Sequence, residues 1–398
     1  MLLLLPTILL ARGVSLLLLA STALRPFDHS AAIRHPRHAQ LVRWDALHFR
    51  SPSPRREQDW AFARAIALQK HCPPLPASIL AALASTAATL ILFRLTLQLS
   101  RSPRHATLVA LLHAFAPAPA TQVVPYTEPF YALFSFAALD LHHRRPSAGL
   151  PVALLAAAAT ALRPLGTLQA LIWLPDALLH LARFRAAPLS PTSVARLAKH
   201  ALRILALALI TAAPFLYDQY AAYTLFCRHP APADNRPWCA NPIPSIYLFV
   251  QAHYWNNGFL NYWTWNQAPL FLLSLPVYWA SFGGIWAYYR HFLAIRGQPR
   301  SKAEGAHPTE RPFLSPHIHI HVLIQLILTT TLLLCSHVQI ILRQAATIPA
   351  FWWGLADGIQ RHWDHPHSPH NYWRLWLPWI VVWTPISLLL WAGFYPPA

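Results

Sequence analysis

The chain has 398 residues, of which 55% are hydrophobic and 11% are charged, whereas soluble domains carry about 25% charged residues. This composition excludes a soluble fold of this length and predicts an all-α, polytopic transmembrane protein. The formal net charge of +18 is compatible with nucleic acid, with anionic lipid headgroups or with membrane topology alone. Nucleic acid is disfavoured, because the basic residues form short clusters between apolar runs and no nucleic-acid-binding module is recognisable.

Six apolar stretches are long enough to cross a bilayer, which takes about 20 residues. They are Leu2–Leu24, Ala77–Leu99, Ala201–Ala222, Pro269–Tyr289, Ile318–Leu342 and Leu375–Phe394. The first stretch fits a signal peptide or a retained helix. We favour the retained helix, because a basic start is missing and the stretch is long enough to span.

Two further apolar regions are interrupted in the middle. Ala106–Leu141 is interrupted by Pro117, Pro119 and Pro125, and Leu150–Leu181 contains the sequence Arg163–Gly166. Each offers about 50 Å of helix at 1.5 Å per residue, less than the roughly 60 Å that two crossings require. We therefore predict two tight hairpins of short helices with both turns on one side, and about 8–10 membrane segments in all.

Clusters of arginine orient this arrangement. The short loops at 101–104, 144–145, 183–199 and 290–311 fall on one face, which the positive-inside rule makes cytosolic. The chain then forms a single membrane-embedded domain, 1–398, with a first lumenal loop at 25–76 and a second at 223–268. The arginines of the 25–76 loop go against the rule, so either the topology differs there or they face an anion.

Cysteine and histidine give weaker signals. The four cysteines, Cys72, Cys227, Cys239 and Cys335, do not form a disulfide framework or a metal-binding pair. Cys227 and Cys239 are as compatible with one lumenal bridge as with free thiols. The histidine-rich patches at 317–321 and 362–370 match no metal-site spacing, so we predict neither a metal nor another cofactor.

Two acidic motifs with aromatic neighbours lie in the first lumenal loop. Trp44, Asp45 and His48 belong to one, and Glu57 and Asp59 to the other. A positioned carboxylate can remove the proton of a sugar hydroxyl as a new bond forms, which makes these acids catalytic candidates. The alternative is an interfacial acid paired with an arginine, and the residues alone favour that alternative.

The two hairpin turns carry the next candidates. Tyr126 and Glu128 lie at the first turn, where Glu128 either contacts substrate or is a first-turn acid that favours the helix start. Arg163 lies at the second turn, where a guanidinium costs roughly 2.5–3.5 kcal/mol within the membrane. Binding a lipid phosphate would offset that cost, and snorkelling to the interface is the equally weighted alternative.

An aromatic stretch with interleaved amides lies in the second lumenal loop. Rings can stack on sugar faces and amides can bond hydroxyls, although interfacial aromatic belts look similar. We predict substrate binding by four of its residues, Gln251, His253, Trp255 and Asn256.

These motifs together resemble one family, the fungal form of GPI mannosyltransferase 2, the PIG-V class. The matching strings occur in family order along nearly the whole chain. They are RWDALHF, EQDWAF, PYTEPFYALFSF, TALRPLG, RPWCANPIPSIYLFVQAHYWNNGFLNYW and SHVQIILR.

The resemblance implies a GT-C-like glycosyltransferase of the endoplasmic reticulum membrane. Such an enzyme transfers the second mannose of the GPI anchor, through an α-1,6 linkage, from dolichyl-phosphate mannose on the lumenal side. It implies Asp45 as the catalytic acid, both lipids as partners, and a possible small membrane subunit. The alternatives are a sister mannosyltransferase with another acceptor, or a non-catalytic scramblase or accessory subunit, which the short Arg50–Arg56 segment permits.

Overall fold

The computed structural model describes residues 3–21, 41, 73–186, 188, 190–228, 236–296, 312–364, 375–393 and 395. In these ranges the chain is helical, with short 3₁₀ turns and no strand. The α-helices are α1 (Leu4–Ser21), α2 (Pro74–Ser100), α3 (Pro103–Ala114), α4 (Glu128–Arg144), α5 (Gly149–Leu162), α6 (Leu174–Ala186), α7 (Pro191–Phe226), α8 (Ile246–His253), α9 (Ala268–Arg296), α10 (His319–Cys335), α11 (Ile340–Gln344), α12 (Pro349–Asp364) and α13 (Trp376–Ala392).

The protein is a multi-pass membrane protein. Six of its described helical segments are long and apolar enough to cross a bilayer, and α5 and α13 are shorter apolar helices. The predicted all-α class is confirmed. Leucine side chains along α1, α7 and α9 remain exposed on the outer surface of the bundle, as expected for helices that face lipid.

The two predicted hairpins are present. The first consists of α3 and α4, and the second of α5, a 3₁₀ segment (Pro164–Trp173) and α6. With 12, 17 and 14 residues, α3, α4 and α5 extend about 18, 26 and 21 Å at 1.5 Å per residue. All three are shorter than the hydrocarbon core of about 30 Å, so none of them can cross it alone, whereas the second arm of the second hairpin, Pro164–Ala186, is long enough to do so.

The first hairpin turn is fixed by a buried arginine on α1. Arg12 donates hydrogen bonds to the carbonyl oxygens of Ala114, at 2.9 Å, and His113, at 3.4 Å. These are the last residues of α3, whose carbonyls have no partner within the helix. The Arg12 guanidinium therefore caps α3 at the point where it ends inside the bundle.

One predicted helix is wrong at its C-terminal end. The predicted span 318–342 is divided, because α10 ends at Cys335 and α11 starts at Ile340. The segment that follows α8 closes the end of α10: the backbone N–H of Leu260 donates to Leu334 O at 2.7 Å, and the Trp263 indole N–H donates to Leu333 O at 2.9 Å. Because α10 ends at Cys335, residues 336–347 form a separate segment that contains α11 and a 3₁₀ turn.

The sequence analysis did not predict α12. Its residues from Pro349 to Ile359 are all buried, and it packs against α3, α9 and α10. A side chain at Gly354 would place Cβ 3.2 Å from the Cα of Gly284 on α9, so the two backbones approach closely. With 16 residues, α12 falls below the length that identifies a membrane span.

At the end of α4 remote from the first hairpin turn, Asp140 is fully buried and bound by two arginines. Arg94 donates to it from Nε at 3.1 Å and from Nη2 at 2.6 Å, and Arg144 donates from Nε at 2.8 Å. Nearby, the Nε2 atoms of His143 and His321 lie 2.9 Å apart. We call this region the Asp140 end of the bundle.

Candidate active site

Glu128, the first residue of α4, is the centre of a buried polar cluster. Its side chain is fully buried, and its Oε1 lies 2.5 Å from Nη1 of Arg163 and 3.5 Å from Nε of Arg343. The Thr127 hydroxyl donates to its Oε2 at 3.4 Å. A carboxylate buried to this extent is stable only when it is paired, and here residues from both hairpin turns and from α11 supply the pairing.

The backbone around Arg163 positions its side chain toward Glu128. Arg163 ends α5 in an extended conformation (φ −150°, ψ 132°), and its carbonyl accepts from the N–H of Gly166 at 2.9 Å. A Cβ at Gly166 would lie 2.5 Å from the backbone nitrogen of Thr160. Only glycine allows this close approach, so the tight turn depends on Gly166.

Gln344 holds the other edge of the Arg163 guanidinium. The Thr347 hydroxyl donates its hydrogen to the backbone carbonyl of Gln344 at 2.8 Å, so toward the Gln344 side chain it can only accept. The amide nitrogen of Gln344 therefore faces Thr347, at 3.1 Å, and the amide oxygen faces Arg163. That oxygen accepts from Nη2 at 2.6 Å and from Nε at 3.3 Å.

An aromatic ring lies beside the Arg343 guanidinium. The Cζ of Arg343 lies 5.7 Å from the centre of the Tyr126 ring, within the range of a cation–π contact. Tyr126 is itself buried and packs edge-on against Trp391, with ring centres 5.2 Å apart. The low polarity of this environment strengthens each charged contact within it.

The loop between α7 and α9 contains α8 and, on it, Tyr247. Burial raises the pKa of the Tyr247 phenol, and the positive charge of Arg163 opposes that rise, so the two side chains lie within electrostatic reach. The backbone N–H of Tyr247 and the Ser245 hydroxyl both donate to Oε1 of Gln219 on α7, at 3.2 and 2.8 Å. These bonds fix the start of α8 against α7.

The same loop is closed by a disulfide. Cys227 and Cys239 are bonded, with their Cα atoms 5.6 Å apart, which settles the question that the sequence left open. The bridge lies in a small apolar cluster with Phe226, Trp238 and Val250. It ties the end of α7 to the segment that leads into α8.

Two of the four predicted substrate residues of this loop lie at its outer surface, and the other two, Gln251 and Trp255, are half-buried. His253 and Asn256 are exposed, and Asn256 has φ +50°, a left-handed conformation that asparagine tolerates. Gln251 accepts from the side chain of Asn257 at 2.5 Å. The Trp255 carbonyl lies 2.7 Å from Nε2 of His337, so the loop rests on the segment that leads to Arg343 and Gln344.

The structure thus brings together Tyr126, Glu128 and Arg163, three of the predicted site residues. Trp44, Asp45, His48, Glu57 and Asp59 lie outside the described residues, and their roles stay predictions. Sequence reasoning assigned no role to Arg343, Gln344 and Tyr247. Arg343 and Tyr247 lie inside quoted family strings, but neither was assigned a role, and Gln344 carried no signal beyond being a polar residue in apolar surroundings.

The cluster can bind and stabilise an anion. Glu128, Thr127 and Gln344 face four of the five N–H groups of Arg163, and the remaining Nη2–H, held in a fixed direction, can donate to an oxygen of an anion such as phosphate. In a water-poor site a fixed positive charge also stabilises negative charge that develops on a leaving group.

Comparison with known proteins identifies the family. The family model described as mannosyltransferase (PIG-V) matches residues 4–398. A GPI mannosyltransferase 2 of Cryptococcus neoformans is 31% identical over 411 residues, covering 95% of this chain and 93% of that protein. Proteins of the same name from Aspergillus fumigatus and Yarrowia lipolytica are 32% and 29% identical, covering 97% and 96% of this chain and 87% and 95% of their own.

No solved structure matches the chain. The family model covers nearly the whole sequence, including both hairpin turns, α11 and the loop between α7 and α9. The chain therefore belongs to the PIG-V mannosyltransferase family.

Proposed function

We propose that this protein transfers the second mannose, through an α-1,6 linkage, from dolichyl-phosphate mannose to the GPI anchor precursor at the lumenal face of the endoplasmic reticulum membrane. The family and the names of its relatives support the reaction class. The structural observation that carries the proposal is the buried Glu128–Arg163–Arg343 cluster at the turns of two short hairpins.

The depth of this cluster suits a reaction between two lipids. We place both hairpin turns inside the membrane thickness, because α3, α4 and α5 are each shorter than about 30 Å. A phosphate attached to a polyprenyl chain lies near the membrane boundary. A cation recessed below the surface can reach that phosphate while the chain stays in lipid.

The proposed chemistry is one direct displacement with inversion. A hydroxyl oxygen of the acceptor mannose attacks C1 of the donor mannose, and the bond between C1 and the phosphate oxygen breaks. Asp45 takes the hydroxyl proton, with Glu57 and Asp59 supporting it. Dolichyl phosphate leaves with the bonding electron pair, and Arg163 stabilises its charge.

The remaining proposed contacts are to the sugars. Trp44, His48 and Tyr126 lie next to the proposed acids or to Glu128 in the sequence. The second lumenal loop contributes Gln251, His253, Trp255 and Asn256, whose rings and amides suit carbohydrate. A small membrane partner subunit is a further proposal that follows from the family alone.

The test is a transfer assay with microsomes from cells that lack the endogenous enzyme. Wild-type protein is expected to convert a one-mannose GPI precursor to a two-mannose product whose new linkage an α-1,6-specific mannosidase removes. Asp45→Asn is expected to lose at least about 100-fold in rate, the usual size of a general-base contribution.

Three outcomes would contradict the proposal. Transfer to another acceptor only would favour a sister enzyme. Restoration of GPI synthesis by Asp45→Asn at the wild-type level would remove Asp45 as the base and favour a non-catalytic role. Absence of any transfer by well-folded wild-type protein would refute the reaction itself.

A further inference from the structure

The Gln344 side chain bonds one whole edge of the Arg163 guanidinium. Its amide oxygen accepts from both Nε and Nη2, at 3.3 and 2.6 Å, which is the edge that carboxylates normally bind. Nη1 is bound by Glu128 and by the Thr127 hydroxyl, at 2.5 and 3.3 Å. The guanidinium is therefore bound on two sides, and its plane is fixed.

The position of Gln344 is itself determined by the surrounding helices. Gln344 is 2% exposed, and its amide nitrogen bonds Thr347 in the next turn. In that turn, the carbonyl of Ala346 lies 2.8 Å from Nε2 of His113 on α3. On the other side of α11, the Tyr278 hydroxyl of α9 donates to the Val338 carbonyl at 3.2 Å. These bonds hold the backbone on both sides of Gln344 against α3 and α9.

The chemical identity of this residue matters as much as its position. Glu128 already supplies one negative charge to Arg163. A second carboxylate on the opposite edge would fix the guanidinium equally well, but it would cancel the attraction of Arg163 for an external anion. An amide oxygen provides the same acceptor geometry without a charge.

We infer that Gln344 is a positioning residue that fixes the Arg163 guanidinium while leaving its charge available to the phosphate of a polyprenyl-phosphate sugar. The inference rests on the proposed function for the identity of the ligand. It adds a residue outside the predicted site and explains why a neutral side chain occupies a place where a carboxylate would fit.

The test compares two substitutions at this position with a matched control. Gln344→Leu removes the acceptor at similar volume, and Gln344→Glu keeps the acceptor but adds a charge. Gln325→Leu is the control, because Gln325 is equally buried at 1% and donates to Ser281 on α9 at 2.8 Å, away from the cluster. Binding of short-chain dolichyl monophosphate and of uncharged dolichol is measured in detergent micelles, together with kcat and KM for the donor.

We expect Gln344→Leu to lower kcat about 10- to 100-fold, the usual effect of misplacing a group by about 1 Å. Gln344→Glu should fold like the wild type but bind dolichyl monophosphate about tenfold more weakly, a loss of about 1.4 kcal/mol. Dolichol binding should be unchanged in both variants, and Gln325→Leu should keep the wild-type phosphate preference.

Two results would overturn the inference. One is a Gln344→Leu protein with the same kcat and phosphate affinity as Gln325→Leu. The other is a Gln344→Glu protein that binds dolichyl monophosphate as tightly as the wild type, and this variant decides the matter even if the leucine variant does not fold. A wild-type protein that prefers the phosphate to dolichol but transfers no mannose would refute the proposed function and leave the inference intact.

Discussion

Glu128 and Asp140 stand near opposite ends of α4 in the same electrostatic situation. Each is a fully buried carboxylate that contacts two arginines, Arg163 and Arg343 in one case and Arg94 and Arg144 in the other. Their surroundings differ. The side chains of Arg94 and Arg144 are 52% and 42% exposed, whereas those of Arg163 and Arg343 are 17% and 15% exposed. The pairs at Asp140 therefore meet solvent, and those at Glu128 form an enclosed site.

Neutralising either carboxylate should lower the stability of the protein, but only neutralising Glu128 should also lower its activity. Glu128→Gln and Asp140→Asn each leave two arginines without the buried carboxylate that pairs with them. Breaking a buried ion pair typically costs about 3–5 kcal/mol. Asp140→Asn should fall at or below that range, because water screens its exposed arginines. Only Glu128→Gln should also release Arg163, and we expect it to lower kcat at least about 100-fold.

The measurements are melting temperature in detergent and donor kcat and KM for both variants. Asp140→Asn should melt at a lower temperature than the wild type with unchanged kcat and KM. If Glu128→Gln lost no more kcat than Asp140→Asn, the Glu128 cluster would be a structural contact and not part of the active site.

The turn after α5 depends on the absence of a side chain at Gly166. Because the nearest atoms are the backbone of Thr160, at 2.5 and 2.6 Å from a Cβ, they cannot yield as a flexible side chain would. Gly166→Ala should push the turn away from α5 and shift Arg163, three residues earlier. We expect a loss of about 1–3 kcal/mol in stability from overpacking and a fall in kcat.

Gly13 on α1 provides the matched control for this substitution. A Cβ at Gly13 meets nothing within 4 Å, and alanine is favoured over glycine in a helix by about 1 kcal/mol. Gly13→Ala should therefore keep or raise the melting temperature with unchanged kcat. Equal behaviour of the two alanine variants would show that the turn at Gly166 has room to adapt.

The sequence predicted the helices that are both long and apolar. The hairpins were predictable because interrupted apolar runs of about 50 Å cannot cross twice. Two features escaped prediction: the break after Cys335 depends on Trp263 and Leu260 from a distant loop, and α12 is too short to register as a span. Such features are set by tertiary contacts and leave little periodic trace in the sequence.

The residues of the candidate site also differ in whether the sequence predicted them. Tyr126, Glu128 and Arg163 stood out because charged and polar groups at membrane depth are costly. Gln344 did not stand out, because a glutamine in an apolar stretch carries no pattern that marks a site. Its importance follows from the atoms of Arg163 that it contacts, and that information exists only in three dimensions.

At the scale of the whole molecule, the distance between the two carboxylates locates the site in the membrane. Glu128 and Asp140 are 12 residues apart on one helix, which is about 18 Å at 1.5 Å per residue. If Asp140 lies at one boundary of a hydrocarbon core of about 30 Å, Glu128 lies roughly 12 Å inside the other boundary. The disulfide-tied loop 227–268 then covers the site from that far side.

This arrangement predicts the sidedness of three single cysteines placed in a background without Cys72 and Cys335. Ser147→Cys lies in the exposed turn after α4, at the Asp140 end, and Ile243→Cys lies in the second lumenal loop, where Ile243 is 82% exposed. Ser51→Cys reports on the 25–76 segment that carries Asp45. In sealed microsomes with the cytosolic face outward, a membrane-impermeant maleimide should label position 147, and should label 243 and 51 only after detergent is added. Labelling of 51 together with 147 would put Asp45 on the opposite side of the membrane from the loop that covers Arg163, and the two residues could not then act on the same bond.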